Sequence, residues 1–69
     1  MKRLFERSIK NKETIVIFYM DQENKVTQRY VCVLKFNDDY ALVYCYYRKK
    51  VRTLKLENIL SAGPRKGIA

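Results

Sequence analysis

The chain has 69 residues, enough for one domain, and a chain this short buries only about 60% of the surface its unfolded form exposes. Its hydrophobic content is 48%, with six tyrosines, three phenylalanines, two glycines and one proline, which excludes a disordered tail or a linker. Fifteen Lys and Arg against seven Asp and Glu give a net charge of +8, a field that attracts nucleic acid, acidic protein or an anionic surface without choosing among them.

The opening KRLFERSIKNK places Leu4, Phe5, Ser8 and Ile9 on one stripe, with Lys2, Arg3, Glu6, Arg7 and Lys10 turned away. That spacing predicts a short helix over about 2–10. Asn11 is its expected stop, because asparagine tolerates the left-handed conformation. From residue 13 the pattern becomes β. ETIVIFYM is rich in β-branched and aromatic residues and reads as a strand over about 13–20. DQENK is turn material with Asn24-Lys25 at its tip. VTQRYVCVLKF reads as a second strand over about 26–35, NDD as a turn, and YALVYCYY as a third strand over about 40–47. RKK at 48–50 reads as a tight turn before VRTLKL, a strand over about 51–56. NILSA forms a last strand over about 59–62 ahead of Gly63-Pro64.

The sum is one mainly β domain over 1–63 with a flexible tail over 64–69. Five short strands leave few residues to protect the sheet edges, so the expected architecture is a small five-stranded SH3-like or Sm-like barrel with a short N-terminal helix.

Chemistry that needs histidine is excluded, since the chain has none. Neither a Ser-His nor a Cys-His nucleophile system can be assembled. Cys32 and Cys45 are the only cysteines; they lie thirteen positions apart in apolar runs, and two thiols are too few for a structural zinc site. They read as buried thiols on neighbouring strands, with a disulfide as the alternative. Asp38 and Asp39 are adjacent, so in extended chain they point apart and make a poor acid–base pair. No glycine-rich phosphate loop is present. The expectation is a non-enzyme with no metal and no cofactor. No segment approaches the roughly 20 apolar residues that span a bilayer, and the N-terminus has no apolar signal core. The expected location is cytoplasmic, with no membrane partner.

The candidate contacts come from side-chain alternation. Arg52 shares parity with Leu54 and Leu56, so it belongs to an apolar row and must reach the rim of the fold or meet a partner there. Two readings of it stand: a side chain packed over the end of the core and paired with Glu57 or Asp21, or a guanidinium presented to an anion. Tyr19 ends the row of Ile15 and Ile17, and Arg29 begins the row of Val31 and Val33. Either can also be ordinary rim polarity. A second set of candidates lies in YCYYRKK: Tyr44, Tyr46, Arg48 and Lys50. Exposed tyrosines beside bases can stack nucleobases. They can equally cover the helix or fill a contact between copies.

The order of these motifs resembles the WYL domain, the Sm-like barrel module of many bacterial transcription regulators. The resemblance runs from about Leu4 to Ile59. LFERSI matches the family's opening L-x-x-A-I, with Ser8 in place of alanine. IVIFY matches its strand ending in tyrosine, and NKVTQRYVCV its arginine ahead of a hydrophobic strand. Tyr40-Ala41-Leu42 falls on the naming triplet, and RTLKLENI on the closing R-x-F-x-L-D-R-I. Cys32 stands where the family has a proline, Glu57-Asn58 stands for its late D-R, and its pocket histidine has no counterpart. The resemblance implies a ligand-sensing regulatory module that binds nucleic acid or a nucleotide through rim residues, and it selects Tyr19, Arg29 and Arg52. It also implies a separate DNA-binding or regulatory protein as partner, since the chain has no room for a helix-turn-helix of its own. A self-assembling or protein-docking barrel without a nucleic-acid ligand is the alternative, with a homo-oligomer as one form of it.

Overall fold

A computed structural model describes residues 2–65. The order is α1 (Lys2–Asn11), β1 (Ile15–Met20), β2 (Val26–Phe36), β3 (Tyr40–Cys45), β4 (Lys50–Lys55), a 3-10 turn (Leu56–Asn58) and β5 (Ile59–Pro64). All strand pairs are antiparallel, in the spatial order β4-β3-β2-β1-β5. This is the expected mainly β class, one five-stranded sheet with one N-terminal helix.

The sheet must be rolled. β4 and β5 occupy its two ends, yet only the 3-10 turn separates them in sequence. Four residue steps reach at most about 14 Å, whereas the outer strands of a flat five-stranded sheet lie about 19 Å apart. The backbone N–H of Lys55 on β4 donates to the Tyr19 hydroxyl of β1 at 3.3 Å, three places along the order. The result is an open barrel whose seam lies between β4 and the β1 side.

Alternation sets the inside. Ile15 and Ile17 stand in register with Val31 and Arg29, and Val31 and Val33 with Cys45 and Val43. Across the last pair Ala41 meets Leu54 and Val43 meets Arg52. Phe5, Ile15, Ile17, Val31, Val33, Ala41, Val43, Cys45, Leu54 and Ile59 form the core. α1 plugs one end of it. Phe5 is fully buried and meets Phe36 edge-on, with ring centroids 5.4 Å apart. Ser8 is equally buried. Its hydroxyl donates to the Glu13 carbonyl at 2.7 Å and accepts from the Val33 N–H at 3.0 Å. That second bond falls where the β2–β3 register shifts between Val33 and Lys35, so the helix satisfies an amide beside the bulge.

Several limits differ from the sequence reading, each for a local reason. The left-handed residue after α1 is Lys12, with φ 53°, and Asn11 remains helical. Ile9 is 37% exposed, because the stripe that faces the sheet narrows to Phe5 and Ser8. β3 ends at Cys45, and the turn takes 46–49, with Lys49 left-handed at φ 55°. Tyr46 and Tyr47 therefore leave the strand, and Lys50 joins β4. Residues 13–14 precede β1, Phe36 extends β2, and Leu56 belongs to the 3-10 turn. Of the tail expected over 64–69, Pro64 closes β5 and residues 66–69 lie outside the described residues.

The expected turns form through named side chains. Asp21 accepts the N–H groups of Glu23 and Lys25 at 2.8 and 2.9 Å, and Asn24 takes φ 62°. Asn37 accepts the N–H groups of Asp39 and Tyr40, both at 2.7 Å. Cys32 and Cys45 are buried thiols on neighbouring strands and opposite faces: Cys45 meets Val31, while Cys32 meets Tyr44.

Candidate anion-binding groove

Three strands deliver three polar side chains to one mouth of the barrel. Tyr19 is next to last in β1, Arg29 stands early in β2 opposite Ile17, and Arg52 stands in β4 opposite Val43. Each occupies a core-facing position near the end of its row, where the apolar interior gives way to solvent. Tyr19, Arg29 and Arg52 line a single groove of about 730 Å³.

The Arg29 guanidinium carbon lies 5.3 Å from the centroid of the Tyr19 ring, and its Nε donates to Thr27 Oγ1 at 3.2 Å. Ring and hydroxyl together fix the arginine with no carboxylate involved. The ion pairs among the described residues are Lys2 to Asp38, Arg7 to Glu13 and Lys25 to Glu23. Arg52 therefore takes neither Glu57 nor Asp21 as an ion-pair partner. Two half-buried guanidinium groups face one groove with no ion-pair partner of their own among the described residues, an arrangement suited to a planar oxyanion such as phosphate.

The β1–β2 turn also lines the groove, with Asp21 and Glu23. Both acids are engaged locally, Asp21 by two backbone N–H groups and Glu23 by Lys25 at 3.4 Å. The strand composition did not reveal Tyr40, Lys55 and Asn58, which also line the groove. Lys55 faces Tyr40 on the outer side of the sheet, the reverse of Arg52 by parity. It reaches the groove because the depression runs along the open edge of β4, touching Arg52, Thr53, Leu54 and Lys55 in succession. Parity predicts the face of a sheet and says nothing of its seam.

The second set of candidates lies elsewhere. Lys50 begins the row of Arg52, opposite Cys45, but does not line the groove. Tyr44 is on the outer face opposite Val51 and meets Tyr46 edge-on at 5.2 Å between centroids. Arg48 sits 6.0 Å over the ring of Tyr47, which is 86% exposed. These residues form a separate basic and aromatic surface at the β3–β4 hairpin.

The chain is similar in fold to part of proteasome accessory factor B/C (PafBC) of Arthrobacter aurescens. The TM-score is 0.78 at 23% identity, over 93% of this chain and 11% of PafBC. At that identity the likeness establishes the fold. No protein-family model matches the chain, and neither does any curated protein sequence. No helix among the described residues is long and apolar enough to cross a membrane.

Proposed function

We propose that this chain is a non-enzymatic, WYL-like regulatory or accessory domain that binds single-stranded nucleic acid or a nucleotide-type anion. The observation that carries the reading is convergence: Tyr19, Arg29 and Arg52 come from three strands to one groove, and among the described residues neither arginine is paired with a carboxylate. Two further facts support it. The motifs that resemble a WYL domain occur in the family's order, and the fold is shared with part of a protein named as an accessory factor.

In this reading Arg52 and Arg29 hold phosphate oxygens, and Tyr19, backed by the Arg29 guanidinium, offers a ring face to a base. Lys55, Lys50 and the turn residues Arg48 and Lys49 add positive field. Occupancy of the groove would then be passed to a separate DNA-binding or regulatory protein.

The test is a fluorescein-labelled oligothymidylate titrated at two salt concentrations, with a nucleoside monophosphate as competitor. Binding should weaken as salt rises, because phosphate contacts release counterions. The double substitution Arg29→Ala/Arg52→Ala should weaken it further and flatten the log–log salt slope by about 1.4, the value for two lost contacts to a single strand. Competition by the monophosphate assigns the groove to a nucleotide, and competition by longer strands alone assigns it to nucleic acid. Tight binding untouched by the double substitution would remove the groove from the function.

A further inference from the structure

The edge of β4 presents backbone groups that the anion-binding reading does not use. β4 is the terminal strand of the order, and among the described residues it pairs with β3 alone. In an antiparallel edge strand, alternate residues point their backbone N–H and C=O groups away from the neighbour. The phase is fixed at Lys55, whose N–H leaves β3 and donates to the Tyr19 hydroxyl. Counting back by twos, Thr53 and Val51 also direct their backbone groups outward. Among the described residues these groups have no partner. They form a short, regular template just outside the strand.

The two sheet edges are unequal. β5 carries a register shift against β1 between Phe18 and Tyr19 and ends in Pro64, and both features blunt an edge against pairing. β4 is regular through all six pairs with β3. Its protection is charge, with Lys50 and Arg52 on the inner row and Lys55 on the outer. A second copy laid along β4 would bring these like charges face to face, on a protein already carrying +8. The same charges favour an acidic strand. Val51, 50% exposed on the outer face beside Tyr44, supplies an apolar contact on the other side of such a strand.

The geometry points to β-strand addition: β4 docks an extended protein segment in which acidic residues alternate with apolar ones. The acidic residues would face Lys50 and Arg52, and the apolar residues would face Val51 and Thr53. The backbone of the segment would be held by the outward N–H and C=O groups of Val51 and Thr53. Because Arg52 also lines the groove, a docked segment and a bound anion would exclude one another.

The experiment uses the full chain and a fluorescein-labelled Glu-Val-Glu-Val-Glu peptide with glycine-serine flanks, read by anisotropy. Saturable binding is expected. It should weaken at least about tenfold when alternate peptide amides are N-methylated, since the paired backbone bonds are lost with charge unchanged. Replacing the glutamates by lysine should abolish it. Thr53→Pro, which removes one outward N–H and leaves the β3 pairing groups in place, should act like N-methylation. Equal binding of the N-methylated and parent peptides would overturn the proposal, since the attraction would then be charge alone. So would sedimentation showing that the chain self-associates through this edge and that Thr53→Pro abolishes the association. A failure to bind oligothymidylate leaves the proposal standing, because the main-chain groups of Val51 and Thr53 play no part in that reading.

Discussion

The Arg29 guanidinium is stacked over the Tyr19 ring at 5.3 Å, while the hydroxyl of the same tyrosine accepts the Lys55 N–H at 3.3 Å. One side chain therefore positions a cation of the groove and ties the end of β4 to β1. The two roles separate by substitution. Tyr19→Phe keeps the ring face and gives up only an exposed hydrogen bond, so oligothymidylate affinity should stay within about twofold. Tyr19→Leu removes the ring, frees Arg29 and deletes the stacking surface, and should cost about tenfold or more. Anisotropy titration of the two variants checks this. Equal losses would assign the contribution to the hydroxyl.

Ser8 is the one polar residue in the buried stripe of α1, and the fold shows what the hydroxyl does. It is fully buried, donating to the Glu13 carbonyl and accepting from Val33 N–H beside the β2 bulge. Ser8→Ala would leave the Val33 amide without its partner in the interior and the part-buried Glu13 carbonyl without its donor. An unsatisfied buried group costs about 1–3 kcal/mol. Urea unfolding should therefore show a loss of that size with an unchanged m-value, a large fraction of the stability of so small a domain.

The strands and the helix were legible because their signals are local. β-branched runs such as ETIVIFYM declare a strand, and the phase of Ile15, Ile17 and Tyr19 follows from alternation alone. The three groove residues were legible for the same reason, as polar groups ending apolar rows. What the sequence withheld is non-local. Lys55 and Tyr40 join the groove only because the sheet rolls until β4 approaches β1, and no periodicity records that closure. The end of β3 differs from the sequence expectation because Tyr46 and Tyr47 have high strand propensity. The hairpin instead needs four residues, 46–49, to bring Cys45 opposite Lys50.

Lys12 follows the last helical residue with φ 53°, a conformation that costs a residue with a Cβ about 1–2 kcal/mol. Its place after α1 is the one glycine commonly fills. Lys12→Gly relieves the strain but adds freedom to the unfolded chain, which offsets about 0.5–1 kcal/mol. The net should be a gain of roughly 0.5–1 kcal/mol, seen as a higher urea midpoint. Lys12→Ala relieves nothing and should leave the midpoint close to that of the parent.

Cys32 and Cys45 occupy neighbouring strands, but Cys45 faces the core opposite Val31 while Cys32 faces the other way, opposite Tyr44 and against Ser8. A disulfide needs the two Cβ atoms about 3.8 Å apart and pointing toward each other, which opposite faces of a sheet forbid. Both thiols are buried, so neither presents a reactive surface. Under native conditions a chromogenic disulfide reagent should label both slowly, at rates set by opening of the fold, and denaturant should release two equivalents at once. Since Cys45 lies in the core beside the hairpin and Cys32 lies under α1, the order of labelling reports which end opens first. Detachment of α1 exposes Cys32 ahead of Cys45, and Phe5→Ala, which removes the helix's core anchor, should accelerate Cys32 labelling more than Cys45 labelling. Equal acceleration of both would mean that the helix and sheet open as one unit.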